Sequence, residues 1–205
     1  MASREVVKAE VNALVTETTE RVGLVAKGTG VLWGVELIDQ LLVSGGLDRF
    51  GVVPHDVPGL MGIFTAPFLH ANWAHLVGNT MAFIPLAFLA SGRKKADFWV
   101  VSVVAAVAAG LGAWVFGAPG TVHIGASGVI FGYLGFLMGR GVWERKLGTM
   151  FLSAMVTFFF GGMLWGILPV VAGVGISWQS HLFGWLGGLL VARVLGKALA
   201  QRKGR

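Results

Sequence analysis

The sequence predicts an all-α membrane protein that crosses the bilayer six times. Three observations carry that reading. Of 205 residues, 55% are hydrophobic and only 13% charged, where an ordinary soluble chain has about 25% charged. The apolar residues fall into six runs, and a helix needs about 20 of them to span a bilayer core of about 30 Å. Lys and Arg crowd into one alternate set of the breaks between those runs. Glycine is also abundant, at 32 residues, with no period or low-complexity tract to account for it. Zero cysteine excludes disulfides, thiolate metal sites and a cysteine nucleophile.

Residues 1–22 are charged from Arg4 and Glu5 onward, so no signal peptide is expected. Val7, Val11, Leu14, Thr18 and Val22 follow helical spacing, which fits either an amphipathic helix lying in the membrane interface or a frayed arm. The first span covers 23–43 and holds Glu36 and Asp39. The connection 44–67 carries Pro54, Pro58 and Pro67, which limit regular structure, and is expected on the outer face. The second span, 73–90, holds His75 and Asn79; the break Gly92-Arg93-Lys94-Lys95 separates it from the third, 98–116. Glycines and Pro119 keep 117–125 irregular, so the fourth helix is expected to begin at Ser127, already at mid-membrane depth. That start explains why the fourth span, 127–138, is short. A polar patch at 140–146, a fifth span at 149–171, a sixth at 181–199 and a basic tail at 200–205 complete the layout.

An even number of spans puts both termini on one side. Fifteen of the 16 Lys and Arg residues then share that side, with Arg49 alone opposite, so both termini are expected to be cytoplasmic. The net charge of +6 is thereby explained by membrane topology, with no nucleic-acid partner implied.

Polar side chains inside spans are costly and are functional candidates. His75 and Asn79, at i,i+4, share one helix face; they read as interhelical hydrogen-bond glue or as a working pair. His70, five residues before His75, is turned off that face, and no HExxH motif exists, so no metal site is expected. Ser127 reads as a helix cap or as a reactive hydroxyl at a helix N-terminus. Glu36 and Asp39, at i,i+3, line a path or form a structural pair.

Gly184, Gly188, Ala192 and Gly196 form a small-residue ridge on the sixth span, and Gly128, Gly132, Gly135 and Gly139 supply one on the fourth. Eleven of the 32 glycines lie between 110 and 148. Two such ridges allow close approach, bringing Ser127 and His181 within reach as a nucleophile and its base.

Three motifs now resemble the rhomboid family of intramembrane serine proteases. They are His70-Ala71-Asn72-Trp73-Ala74-His75-Leu76-Val77-Gly78-Asn79, then Gly125-Ala126-Ser127-Gly128, then His181-Leu182-Phe183-Gly184-Trp185-Leu186-Gly187-Gly188, on the second, fourth and sixth spans. The resemblance covers roughly residues 30–200. It implies a six-helix rhomboid-like protease domain over 23–199, in a bacterial cell membrane, cleaving single-span membrane proteins without metal or cofactor. Ser127 would be the nucleophile and His181 the general base and acid, with His75 and Asn79 in the oxyanion hole. Gly125, Gly128, Gly184 and Gly188 would support the site. Two departures stand out: Phe131 occupies a position where many members have tyrosine, and Met61-Gly62 replaces a common Trp-Arg pair in the first outer loop. An inactive rhomboid-like protein that binds transmembrane clients, and a small transporter or channel, are the competing readings.

Overall fold

The computed structural model describes residues 2–171, 173 and 175–203. Among them are seven α-helices: α1 (Ala2–Leu42), α2 (Gly62–Thr65), α3 (Trp73–Ala90), α4 (Lys95–Phe116), α5 (Ser127–Glu144), α6 (Leu147–Phe160) and α7 (Trp178–Lys203). Short 3-10 turns at Asp48–Phe50, Pro58–Met61 and Ala66–Phe68 surround α2, and a longer one, Gly161–Ile167, prolongs α6.

Four segments are long and apolar enough to cross a membrane: Trp73–Ala90, Lys95–Phe116, Leu147–Ile167 and Trp178–Leu199. Their outward faces are apolar too. Phe151, Phe158 and Phe159 of α6, Val103 of α4 and Val194 of α7 all point away from the protein, a surface that water would disfavour and lipid matches.

Several boundaries differ from those expected: the fifth span, expected over 149–171, is α6 from Leu147 to Phe160 followed by the 3-10 turn Gly161–Ile167, and the last helix runs past 199 to Lys203. The N-terminal segment and the first apolar run form one helix, α1, with no break at Gly23. The fourth helix does not stop at Met138: α5 runs six residues further, to Glu144, and takes in Arg140. The physical reason is that the guanidinium has a partner one turn on, Arg140 Nε donating to Glu144 Oε1 at 2.7 Å. The sixth helix starts at Trp178, three residues before His181. In the basic tail, residues 204 and 205 lie outside the described residues.

The centre of the molecule is α5. Tyr133, Leu134, Phe136 and Leu137 are wholly or almost wholly buried there among α3, α4, α6 and α7. Lipid tails are as apolar as leucine, so helices in a membrane gain little from burial as such and must gain from close packing. The small residues provide it. A Cβ on Gly184 would overlap the carbonyl oxygen of Gly128, and one on Gly188 would overlap that of Gly132. On its other side α5 sits on α4, where a Cβ on Gly128 would come 2.6 Å from the Ala109 methyl. The expected ridge-to-ridge seam between the helices bearing Ser127 and His181 is thus backbone-on-backbone contact.

At the end where most of the Lys and Arg gather, ion pairs fasten the helices. Arg93 bonds Asp97 at 2.7 Å and reaches Glu144 at 3.4 Å. Arg21 of α1 donates to the Gly92 carbonyl at 2.9 Å, and Lys95 pairs with Glu20 at 2.7 Å. At the other end of α1, Asp39 closes the helix: Oδ1 accepts from Leu47 N–H at 2.8 Å, and its carbonyl accepts from Gly45 N–H at 3.0 Å. Glu36 is fully buried nearby. Burial, reinforced by Asp39, pushes the neighbouring Asp48 carboxyl up to about 6.

Candidate active site

Ser127 is the first residue of α5, and Ala126 occupies the cap position before it. Its hydroxyl therefore does not cap the helix. It is hydrogen-bonded instead to His181 Nε2 at 2.9 Å, across a sequence separation of 54 residues. The other ring nitrogen, His181 Nδ1, lies 3.0 Å from the Gly166 carbonyl oxygen. A carbonyl accepts and never donates, so Nδ1 carries the hydrogen and Nε2 presents its lone pair to the serine. Phe131, one turn after Ser127 on α5, stacks on the imidazole with centroids 4.2 Å apart and planes 10° from parallel. Two contacts thus orient the ring: a flat hydrophobic face and one backbone acceptor.

Gly166 was not among the sequence candidates. It lies in the 3-10 turn after α6, and only its carbonyl matters, a group every residue possesses. No local signal marks it.

His75 and Asn79 approach from α3. Gly125, two residues before Ser127, has φ +115°, and a Cβ there would lie 2.8 Å from His75 Nε2 and 3.4 Å from Asn79 Nδ2. Glycine is required on both counts: the backbone is in a region L-residues avoid, and the space is filled by the two polar side chains. The Asn79 amide nitrogen is buried without a hydrogen-bond partner among the described residues. Leaving such a donor unpaired costs about 1–3 kcal/mol. His75 Nδ1 accepts, at 3.5 Å, from the Ala71 N–H, which leaves Nε2 as the protonated nitrogen beside Gly125. As the first residue of its helix, Ser127 adds a backbone N–H with no intrahelical acceptor. The structure thus gathers Ser127, His181, His75, Asn79, Gly125 and Phe131 into one place, with Gly128 and Gly184 behind it and Gly188 a turn further along the seam, against Gly132.

The connection between α1 and α3 is pinned to this site. Gly125 N–H donates to the Ala66 carbonyl at 2.8 Å, and Val52 and His123 exchange both backbone hydrogen bonds at 2.9 Å. Gly62, of the Met61-Gly62 pair, packs directly on the Gly51 carbonyl, so the loop is held by backbone contacts here. His70 is fully buried and meets the edge of His75 with centroids 5.1 Å apart. Burial, with His75 adding, pushes its pKa down to about 4, so it packs as a neutral ring. Glu36 and Asp39 lie in α1 and take no part in the cluster.

Long apolar helices and an outward apolar surface define a helical integral membrane protein. The chain belongs to the rhomboid family: the profile of the rhomboid domain matches residues 58–198. Among its relatives is an uncharacterised protein of Mycobacterium tuberculosis (strain H37Rv), 40% identical over 202 residues that cover 93% of this chain and 83% of the relative. A second, uncharacterised protein of Mycobacterium leprae is 38% identical over 192 residues, 88% of this chain and 76% of its own length. The chloroplastic rhomboid-like protein 11 of Arabidopsis thaliana is 28% identical over 196 residues, covering 83% of this chain and 67% of that one.

Proposed function

We propose that this protein is an intramembrane serine endopeptidase that cleaves single-span membrane proteins in a bacterial cell membrane. In this reading six helices, α1 and α3 to α7, cross the bilayer with both termini cytoplasmic, and α5 begins at mid-depth below an outward-facing cavity. The observation that carries the reading is the 2.9 Å hydrogen bond between Ser127 Oγ and His181 Nε2, on a ring already oriented by Gly166 and Phe131.

Ser127 Oγ attacks the scissile carbonyl carbon as its proton passes to His181 Nε2. The carbon–nitrogen bond then breaks, and the imidazolium returns that proton to the leaving amine. Water, deprotonated by the same nitrogen, attacks the acyl carbon; the bond to Ser127 Oγ breaks, the imidazolium returns the proton to Oγ, and the new carboxyl terminus leaves. No carboxylate is needed to hold the imidazole, because the Gly166 carbonyl meets Nδ1 and Phe131 supports the ring face. The negative charge on the substrate oxygen is met by the Ser127 N–H, His75 Nε2–H and the Asn79 amide, a hole of preorganised donors.

Labelling decides the reading. Purified protein in detergent is expected to react with a fluorophosphonate at Ser127, identified by peptide mass, and to cleave a reconstituted single-span substrate. Folded protein that does neither is the inactive, client-binding form or a transporter.

Two further results follow from the geometry. Asn79→Ala and His75→Ala are each expected to lower kcat about 100- to 1,000-fold, the usual effect of removing one oxyanion donor, with KM changed much less. Steady-state kinetics on the reconstituted substrate checks this. Phe131→Ala removes a stacked aromatic contact of about 0.5–1.5 kcal/mol and is expected to reduce kcat/KM roughly two- to tenfold. Phe131→Tyr, which keeps the ring, stays near wild type in the same assay.

A further inference from the structure

The segment leading to Ser127 carries a second histidine. His123, four residues before the serine, is half-buried, and both its ring nitrogens are engaged. Nδ1 is hydrogen-bonded to the Ser177 hydroxyl at 2.6 Å, and Nε2 to the Thr121 hydroxyl at 3.0 Å. Thr121 Oγ1 in turn donates to the Ala118 carbonyl at 2.6 Å. Ser177 stands immediately before α7, where its Oγ accepts from the Ser180 N–H at 3.3 Å and its carbonyl accepts from the His181 N–H at 3.1 Å. Ser177 therefore caps the helix that bears His181, and its own backbone holds His181 directly. The imidazole of His123 joins the loop of one member of the pair to the helix cap of the other.

Such a join has a mechanical purpose. Ser127 and His181 sit at the outer ends of α5 and α7, whose shared seam is glycine against backbone. That seam sets how closely the helices approach, but a ridge without side chains offers few interlocking knobs against sliding along the axis. The rise is 1.5 Å per residue, so a slip of even a fraction of a residue would spoil a 2.9 Å hydrogen bond. On the far side, His123 is anchored by its two backbone bonds to Val52. The loop is therefore a firm post to tie to.

We propose that His123 is a positioning residue for the Ser127–His181 pair, acting through its Nδ1 bond to Ser177 to fix the axial register of the α7 N-terminus against the serine loop. The inference rests on the protease reading above.

The two ring nitrogens make a discriminating test possible. Asparagine places a polar atom near the Nδ1 position and so keeps a partner for Ser177, while glutamine reaches the Nε2 position and keeps only Thr121. With full-length protein in detergent and a single-span substrate, His123→Gln and Ser177→Ala are each expected to lower kcat about 10- to 100-fold, the scale of a misplacement near 1 Å. KM stays within about twofold because substrate contacts are untouched. His123→Asn holds kcat within about threefold of wild type, and the His123→Gln/Ser177→Ala double variant is no slower than the worse single, as expected for one shared contact. Thermal unfolding of each variant is followed in parallel. Equal losses for Asn and Gln, or losses that multiply in the double variant, overturn the proposal. So does wild-type kcat in Ser177→Ala, which keeps the test open should His123→Gln fail to fold. A folded wild type that neither labels nor cleaves overturns the protease reading and this inference with it; a labelled wild type whose His123 and Ser177 variants turn over normally overturns this inference alone.

Discussion

Ser127→Ala is expected to abolish cleavage of a reconstituted single-span substrate, with kcat falling about 10,000-fold or more, and to abolish fluorophosphonate labelling. The size follows from what is lost. The nucleophile and its base act as a unit, so removing either member leaves only what binding and the oxyanion donors supply, and removing both costs little more. His181→Ala is therefore expected to fall to the same floor, as is the double variant. The two positions differ in their structural consequences. Ser127 contributes one hydrogen bond to the packed state, whereas His181 also carries the Phe131 stack and the bond to the Gly166 carbonyl. His181→Gln is the better probe for that reason, since it retains a polar side chain of similar reach. Single-turnover cleavage, run beside thermal unfolding in detergent, separates lost chemistry from lost fold. Residual turnover above about one part in a hundred in Ser127→Ala would show that another group attacks the peptide.

The second large effect is steric. Gly184→Ala and Gly188→Ala are each expected to destabilise the protein by about 3 kcal/mol or more, at the upper end of overpacking costs, and to remove activity along with it. The added methyl groups would overlap the carbonyl oxygens of Gly128 and Gly132. These obstacles are backbone atoms of a central helix, so no rotamer change relieves the overlap and α7 must move away from α5. That displacement carries His181 away from Ser127. Gly23→Ala is the control: a Cβ at Gly23 meets nothing within 4 Å among the described residues, and alanine in a helix interior gains about 0.5–1 kcal/mol over glycine. Unfolding midpoints of the three variants in one detergent give the comparison. If Gly188→Ala unfolded like Gly23→Ala, the backbone contact between α5 and α7 would not exist in solution.

Much of the fold was legible because membrane helices announce themselves by apolar length. The ranges 73–90 and 98–116 reappear almost unchanged as α3 and α4. The fourth span was legible at the position that mattered most, the start of α5 at Ser127, because Pro119 and the glycines before it stop a helix from forming earlier. Helix ends were less legible where a charged residue finds a partner within its own helix. Arg140 looked like the end of a span and is part of α5, because Glu144 neutralises it one turn on. The continuity of α1 was hidden for a related reason: charged residues before Gly23 argued for a separate segment, yet nothing there breaks a helix.

The site shows the same division. Polar side chains in an apolar setting are conspicuous in the sequence, since few other polar residues surround them, and Ser127, His181, His75 and Asn79 stood out on those grounds. The Gly166 carbonyl and the His123–Ser177 bond did not. The first is a backbone atom, which carries no residue identity. The second joins two common residues 54 positions apart, on a loop and a helix cap, where polar side chains are ordinary. Composition and spacing alone determined that this chain is a bundle of membrane helices with a small-residue seam, because the bilayer constrains hydrophobic length and close packing at every position along each helix. Which atoms hold the histidine ring, and what ties the serine loop to its helix, were decided only by the tertiary structure, because those contacts depend on the relative placement of segments that no local pattern relates.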